Sequence, residues 1–353
     1  MSWWQRMRNH PRFIRFFNWE YWSFNTVYGP IYLIFVLLGV RARSFFFFSA
    51  SNPTIENGGF LNESKKKIYD IMPPEYYPET LFFPKGTTGE EVVNQVKASG
   101  IDFPLIAKPD IGGRGRGVKK IDSAEELVAY ASGATLDFLV QDFIPYELEA
   151  GIFYYRMPGA ENGYISGIVF KEFLTVKGNG KDNVESLLQQ DPRHILQLPV
   201  LARQLGDQLK YIPANGEKLE LVPYGNHARG AKFTDHSFRA DAQLTDTFNR
   251  ICNRINGFYY GRMDVRFESW EKLAKGEAFS IIELNGAGSE PTHMYDPEHS
   301  IFFAWKEIIR HWILLWKISR ANHKKGIPYM RFSEGMAMFR EDKRISKLLE
   351  EMG

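Results

Sequence analysis

The tripeptide Glu283-Leu284-Asn285 closes the apolar run Phe279-Ser280-Ile281-Ile282. Such a run reads as a strand, and side chains along a strand alternate with period two, so Glu283 and Asn285 share one face. Two oxygen-bearing side chains side by side at a strand end suit a hard cation such as Mg2+. Upstream, Gly261-Arg262-Met263-Asp264-Val265 offers a third oxygen ligand, Asp264, on a second predicted strand. Further upstream, Lys108 precedes the glycine-rich run Gly112-Gly113-Arg114-Gly115-Arg116-Gly117. A lysine, a glycine loop and a metal-binding carboxylate pair together read as a nucleoside-triphosphate site.

The chain has 353 residues, room for about two or three domains with a sizeable core. Its 44 basic and 42 acidic residues leave a net charge of +2, so no global basic field argues for nucleic acid. One cysteine, Cys252, excludes an internal disulfide and fits a reducing compartment. No internal repeat or low-complexity tract is visible.

The N-terminus is compositionally distinct. Trp3, Trp4, Phe13, Phe16, Phe17, Trp19, Tyr21, Trp22 and Phe24 are interleaved with Arg6, Arg8, Arg12 and Arg15. An apolar run from Val27 to Val40 follows, then Arg41 and Arg43. The run has 14 residues and contains Gly29 and Pro30, against roughly 20 apolar residues for a spanning helix, so a transmembrane helix is not expected. The arginines after it stand where a signal peptide would need a small-residue cleavage site. Two readings stay open. Aromatic rings with arginines suit peripheral contact with the inner face of a membrane through residues 1–43. Alternatively the segment packs against the main domain or a homodimer partner. Either way the expected location is cytoplasmic.

The element pattern predicts an α+β fold with a mostly antiparallel core. Residues 43–49 read as a short buried strand, and Asn52-Pro53 and Gly58-Gly59 as a loop. A helix opens at Asn62–Lys65 and runs through Ile71 to Pro73-Pro74. Strands follow at 80–83, 104–108, 118–121, 138–144, 149–157 and 164–173, with helices at 90–99 and after the capping-box pair Ser123 and Glu126. Residues 176–188 read as a loop then a helix, and 241–256 as a helix ending at Gly257. The strands carrying Asp264 and Glu283, a long helix at 301–320 and a charged helical tail complete the chain. The predicted organisation is an N-terminal segment (1–61), a small unit with the glycine loop (62–140), a larger core (141–320) and the tail (321–353).

The glycine loop alone is weak evidence. No Gly-Lys-Ser/Thr closes it, and it lacks the spacing of a dinucleotide fingerprint. Its place between two strands just after Lys108 gives it weight, because free backbone N–H groups there can close over phosphates.

In order along the chain, these motifs resemble the ATP-grasp ligases, most closely the D-alanine–D-alanine ligase type, from about Asn62 to Pro297. The resemblance implies an ATP-grasp fold with a small lid subdomain and a larger sheet core. Glu63-Ser64-Lys65 resembles the opening helix, whose lysine contacts phosphate. Pro104 to Val118 resembles the strand–loop–strand lid, in which Lys108 and the loop glycines Gly112, Gly113, Gly115 and Gly117 would face ATP. Gln141, Asp142, Phe143 and Ile144 resemble the hinge that reads the adenine edge. Glu149, with Glu147 as its rival, would take the ribose hydroxyls, and Lys171 offers a further phosphate contact or a simple salt bridge. Gly261-Arg262-Met263-Asp264 is similar to the ligases' Gly-Arg-Ile-Asp, and Glu283-Leu284-Asn285 to their Glu-x-Asn. This implies one or two Mg2+ ions (or Mn2+) on Asp264, Glu283 and Asn285, and Arg262 as the residue that stabilises an acyl phosphate and tetrahedral intermediate. The implied reaction joins a carboxylate to an amine and releases ADP. A phosphotransferase on the same fold and a non-catalytic nucleotide-binding module at a membrane are the alternatives. For Asp264 and Glu283 the bland alternative is a strand-end salt bridge with Arg262 or Arg266.

The substrate side departs from that pattern. The ligases' Pro-Gly turn is replaced by Gly286-Ala287-Gly288-Ser289-Glu290-Pro291, where the N–H groups of Gly288 and Ser289 remain candidate donors. Val176-Lys177-Gly178-Asn179-Gly180-Lys181 resembles the loop of ligases that extend a polymer or peptide. Asn226-His227-Ala228-Arg229-Gly230 lies where those enzymes bind substrate, with His227 either a base or a surface residue. Only about 60 residues precede Lys65, fewer than the full α/β domain that holds the first substrate in the family. A free amino acid in the usual pocket is therefore not expected.

Overall fold

The computed structural model describes residues 10–113, 115–222, 225 and 230–351. Trp3, Trp4, Arg6, Arg8, Arg114, Asn226, His227, Ala228 and Arg229 lie outside them. Eleven strands are described: β1 (Thr80–Phe83), β2 (Leu105–Pro109), β3 (Lys119–Ile121), β4 (Phe138–Asp142), β5 (Leu148–Tyr155), β6 (Tyr164–Glu172), β7 (Leu174–Lys177), β8 (Lys218–Val222), β9 (Lys232–Asp235), β10 (Tyr260–Phe267) and β11 (Phe279–Asn285). The β1–β4, β2–β4, β2–β3, β5–β10, β10–β11, β6–β9 and β7–β8 pairs are all antiparallel. With helices throughout, the fold is α+β.

The chain divides into two units, 33–168 with 236–291 and 308–353, and 1–32 with 169–235 and 292–307. The first contains a four-stranded sheet in the order β1-β4-β2-β3. Val92, Val93 and Val96 of helix Gly89–Ser99, and Leu127 and Ala131 of helix Ala124–Gly133, pack with Phe83, Leu105, Ile121 and Phe138 into a core of its own. Ser123 caps the second helix as its spacing predicts, accepting from Glu126 N, while Glu126 reaches back to Asp122 N. In the same unit β11, β10, β5 and the start of β6 lie side by side in that order.

In the other unit Val169–Glu172 of β6 pair with β9. There β7 and β8 form a hairpin-like pair packed on helices Val184–Leu188 and Leu198–Leu205 through Leu174, Val176, Leu188 and Leu201. Sequence periodicity placed residues 176 and 177 in a loop. The alternating burial of Leu174–Lys177 shows a strand too short for its period to stand out.

Residues 43–49 are not a strand. Phe47–Ala50 form a 3-10 turn, and Phe46, Phe47 and Phe48 are all buried instead of alternating in and out. A short continuous apolar run does not distinguish a strand from a buried turn by period alone. The turn is held by Asn322, whose Nδ2 donates to the carbonyls of Ala50 (2.8 Å) and Ser51 (3.0 Å), and by Met330 N donating to Ser49 Oγ at 2.9 Å.

The expectation that the apolar run is too short to span a membrane is also revised. Helical turns run from Phe24 to Ala42, 19 residues, which by length and composition suffices for a span. Pro30 does not interrupt them because it sits in the first turn of the 3-10 segment Gly29–Ile31, where its missing N–H is no loss. Yet Leu38, Ile34 and Phe35 of this stretch pack into the protein core with Phe47, Leu315 and Ile318.

Asn52 fastens the N-terminal segment to the start of β10. Its Nδ2 donates to Gly58 O (2.9 Å) and Tyr260 O (2.8 Å), and its Oδ1 accepts from Tyr259 N and Tyr260 N (2.9 and 3.0 Å). The side chain is fully buried, so removing it takes a partner from four backbone groups, of which the Gly58 carbonyl keeps another in Ala287 N. Asn52→Ala is expected to lower unfolding stability by about 2–4 kcal/mol, read as a shifted denaturant midpoint with little change in slope.

Candidate active site

The register of β10 and β11 places the chemistry-bearing residues together. Asp264 lies directly opposite Glu283, and Arg262 directly opposite Asn285. Residues opposite one another, or two apart on a strand, share a face, so all four side chains leave the same side of the sheet. On the other flank of β10, Arg266 faces Glu149, Asp264 faces Gly151 and Arg262 faces Phe153. Gly151 thus brings no side chain opposite Asp264.

A bulge makes this strand end possible. Pairing jumps from Asp264–Glu283 to Val265–Ile281, leaving Ile282 as the extra residue of β11. A bulge frees backbone groups from the ladder. The Ile282 carbonyl accepts instead from Tyr69 Oη at 2.6 Å and Lys108 Nζ at 3.1 Å. Lys108 Nζ also donates to Tyr69 Oη at 2.9 Å. Lys108 on β2 is thereby brought to the residue preceding Glu283. Burial pushes its pKa down to about 8, and the nearby Glu283 and Asp110 carboxylates oppose that fall. Tyr69 is pushed well above the ordinary phenol range, chiefly by burial, so it stays protonated as a donor.

Lys65 arrives from helix Lys65–Ile71. Ser64 caps this helix, and its first N–H groups are taken by Asp110: Lys65 N donates to Asp110 O (3.0 Å) and Lys66 N to Asp110 Oδ1 (2.8 Å). Lys65 Nζ donates to Gly112 O at 2.5 Å and lies 3.9 Å from Glu283 Oε1. Lys65, Lys108, Asp264, Glu283, Asn285 and Arg262 therefore gather around one strand end.

Two expected ligands are engaged by arginines. Arg262 Nε and Nη2 reach Asp264 Oδ1 and Oδ2 at 2.8 and 3.2 Å, a bidentate pair. Burial works against the Arg262 charge, but Asp264, Glu283 and Glu290 outweigh it and move its pKa further up. Glu149 Oε2 accepts from Arg266 Nε at 3.3 Å. The salt bridge predicted as the bland alternative for Asp264 is thus present, and Glu149 has one as well.

The glycine loop joins β2 to β3, adjacent antiparallel strands. Gly112, Gly115 and Gly117 all adopt positive φ, at +129°, +69° and +68°, which a side chain would strain. Gly113 has nothing within 4 Å of where a Cβ would stand. Gln141 and Asp142 are strand residues, and Asp142 N donates to Glu79 O at 3.0 Å. The Gln141 side chain donates to Thr80 Oγ1 at 2.7 Å. Phe143 and Ile144 lie past the strand end, in the connector to β5. Lys171 is buried on β6 opposite Phe233 and belongs to the other unit.

The expected backbone donors after Asn285 are not free. Gly288 N donates to Gly59 O at 2.8 Å and Ser289 N to Gly286 O at 3.0 Å. Two glycine pairs dock backbone to backbone here. A Cβ on Gly286 would stand 2.6 Å from Gly58 O, and one on Gly288 would stand 2.3 Å from Phe60 O. The loop glycines at 58–59 and the departure from the ligase pattern at 286–288 are two halves of one contact.

Among the described residues no group of three or more His, Cys, Asp and Glu side chains is arranged to hold a metal ion. The donor set here is different, two carboxylates and one amide. Asn285 Nδ2 is buried without a hydrogen-bond partner, as is Glu63 Oε2. Mg2+ commonly takes one or two carboxylates and completes its shell with phosphate oxygens and water. Asp264, Glu283 and Asn285 fit that role. Sequence reading missed Tyr69 and Asp110 as site residues, because their importance lies in contacts to residues more than 40 positions away. Tyr69→Phe removes one of two donors to the bulged carbonyl and a neighbour of Lys108. It is expected to cost about 1–2 kcal/mol in urea denaturation.

No protein-family model matches the chain, and no curated protein matches it. Among solved structures it is similar to D-alanine–D-alanine ligase from Bacillus anthracis, at 13% identity and TM-score 0.43, covering 74% of this chain and 69% of that one. It is similar to VanG D-Ala:D-Ser ligase from Enterococcus faecalis at 14% identity and TM-score 0.40, covering 72% and 61%. A bifunctional glutathione synthetase from Pasteurella multocida is similar at 13% identity and TM-score 0.38, and here the match covers 71% of this chain but 35% of that one. The ligase type that the motifs resemble is thus also among the structures similar to this chain.

Proposed function

We propose that this protein is an ATP- and Mg2+-dependent carboxylate–amine ligase working through an acyl phosphate. The observation that carries the reading is the convergence on one face of Arg262, Asp264, Glu283 and Asn285, with Lys65 and Lys108 at the same strand end. Acidic side chains directly opposite one another repel, and burying a lysine is costly. A site that draws cations and hard oxygens together in this way suits a polyphosphate and its metal.

The chemistry follows from that charge layout. A carboxylate cannot acylate an amine directly because oxide is a poor leaving group. Attack of a carboxylate oxygen on the γ-phosphorus breaks the bond to the ADP oxygen and gives an acyl phosphate. Attack of the amine then expels phosphate, and the amine proton leaves to solvent or base. Charge builds on the transferring phosphoryl oxygens, and pre-placed cations lower that barrier. Lys65 and Lys108 supply two. Asp264, Glu283 and Asn285 would hold the metal ion, which supplies Lewis-acid stabilisation of phosphate oxygens when bound. Arg262 is the cation on the same face for charge that develops at the carbonyl.

Incubation with ATP, Mg2+ and pools of carboxylates and amines should release ADP and phosphate only when both pools are present. ADP release with a stable phosphorylated product would replace the ligase by a phosphotransferase. ATP binding without turnover on any pool would leave a binding module. Glu283→Gln keeps the shape of a side chain that is 31% exposed and removes its charge. It is expected to lower turnover by ~10²-fold or more with the fold intact, and unchanged turnover would sink the site assignment.

The pH profile tests Lys108. With its pKa near 8 in the free protein, it is cationic below that value and neutral above it. The attraction for phosphate is therefore present at low pH and lost as pH rises through about 8. We expect kcat/KM for ATP to fall with a limb at that pH, and Lys108→Met to lower the plateau and flatten the limb.

A further inference from the structure

The stretch after residue 32 shows a second surface unrelated to the strand-end site. Leu33, Val36, Leu37 and Val40 are 67%, 42%, 53% and 59% exposed. Their spacing is that of one helical stripe, on helix Tyr32–Ala42. The opposite side of the same helix is committed to the protein core through Ile34, Phe35 and Leu38. Phe45, 50% exposed, extends the apolar surface against the helix at Gly39. Its neighbour Phe46 leads to a second apolar pair, with ring centroids 5.8 Å from Phe332 and 6.1 Å from Phe339. Both of those rings are themselves exposed.

Charge selects the occupant. From Tyr21 to Ile55 the sequence holds no Asp or Glu, and its only charged residues are Arg41 and Arg43, both exposed at the end of the stripe. Arg331 and Arg340 are exposed beside Phe332 and Phe339. The other unit, taken by itself, repeats the chemistry. Helix Pro11–Phe17 exposes Phe13, Phe16 and Phe17 together with Arg12 and Arg15. Apolar stripes and rings bordered by arginines fit an interface of acyl chains below and anionic headgroups above.

We propose that the face built on Leu33, Val36, Leu37 and Val40 docks on an anionic lipid bilayer, lying in its surface without spanning it. A spanning helix would have to give up Ile34, Phe35 and Leu38 from the core, whereas a surface-bound one keeps them there. Each exposed side chain inserted and each arginine near the headgroups adds to binding, so two signals together give attachment where one would not.

The test is flotation of the full chain with vesicles of phosphatidylcholine, with or without phosphatidylglycerol. Binding is expected to the phosphatidylglycerol vesicles, weakened by salt. The double variant Leu33→Glu, Leu37→Glu should reduce it by roughly tenfold or more. Arg41→Gln with Arg43→Gln should remove most of the preference for the anionic vesicles. Both pairs are solvent-facing, and matching melting curves would show that the fold is kept. Equal flotation of the Leu double variant, or no flotation of the parent chain, would overturn the proposal. So would a dimer in vesicle-free buffer that Leu37→Glu breaks, because a second copy would then occupy the face. ATP is not needed for any arm, so failure here is separable from failure of the ligase reading.

Discussion

Asp264 and Glu283 face each other across two antiparallel strands, and much of the surrounding structure follows from that pairing. Like charges directly opposite on a sheet are unfavourable. The chain tolerates them because Arg262 grips Asp264 through two hydrogen bonds and Lys65 stands 3.9 Å from Glu283. The helix carrying Lys65 is in turn anchored through Asp110, at the end of the strand that delivers Lys108. One electrostatic problem thus ties the glycine-loop sheet, the helix at 65–71 and the larger sheet to a common point. A cross-strand apolar pair would have needed none of these.

The bulge at Ile282 is the mechanical counterpart of that charge arrangement. A regular ladder would engage the Ile282 carbonyl within the sheet. The extra residue turns it toward Tyr69 and Lys108. Lys108 is buried, and a buried ammonium is unfavourable unless its hydrogen bonds are met. The tyrosine hydroxyl and the bulged carbonyl meet two of its three donors. In the proposed site the third would be left for a ligand.

Side-chain identity was more legible in the sequence than register. Period-two alternation is a local property, so Arg262 with Asp264, and Glu283 with Asn285, could be assigned to shared faces from the residues alone. That Asp264 meets Glu283, and not Ile281, depends on where one extra residue is absorbed, and nothing local marks Ile282. Helix starts with a chemical signature, such as Ser64 and Ser123, were legible because a cap acts within three residues. Asn52 was not, since Asn-Pro reads as a turn while its four hydrogen bonds include three to residues more than 200 positions away. The Phe45–Phe48 run misled for the opposite reason. Its hydrophobicity was plain, but burial without alternation carries no period.

The docking of Gly58-Gly59 against Gly286–Gly288 bears on how the proposed reaction would be completed. A tetrahedral intermediate places negative charge on the former carbonyl oxygen, which backbone N–H groups often meet. Here the N–H groups of Gly288 and Ser289 are already donated to Gly59 and Gly286. Freeing Gly288 N would separate backbones that approach too closely for any side chain. In the proposed reaction that charge would fall to a side chain, and Arg262 is a cation on that face. Two of its nitrogens hold Asp264 at 2.8 and 3.2 Å, whereas Nη1 has a single long contact to Glu290 O at 3.4 Å. Nη1 is thus the nitrogen with capacity to spare. In the proposed reaction the pair with Asp264 would aim Nη1 at that charge, a task the glycine contact leaves to a side chain.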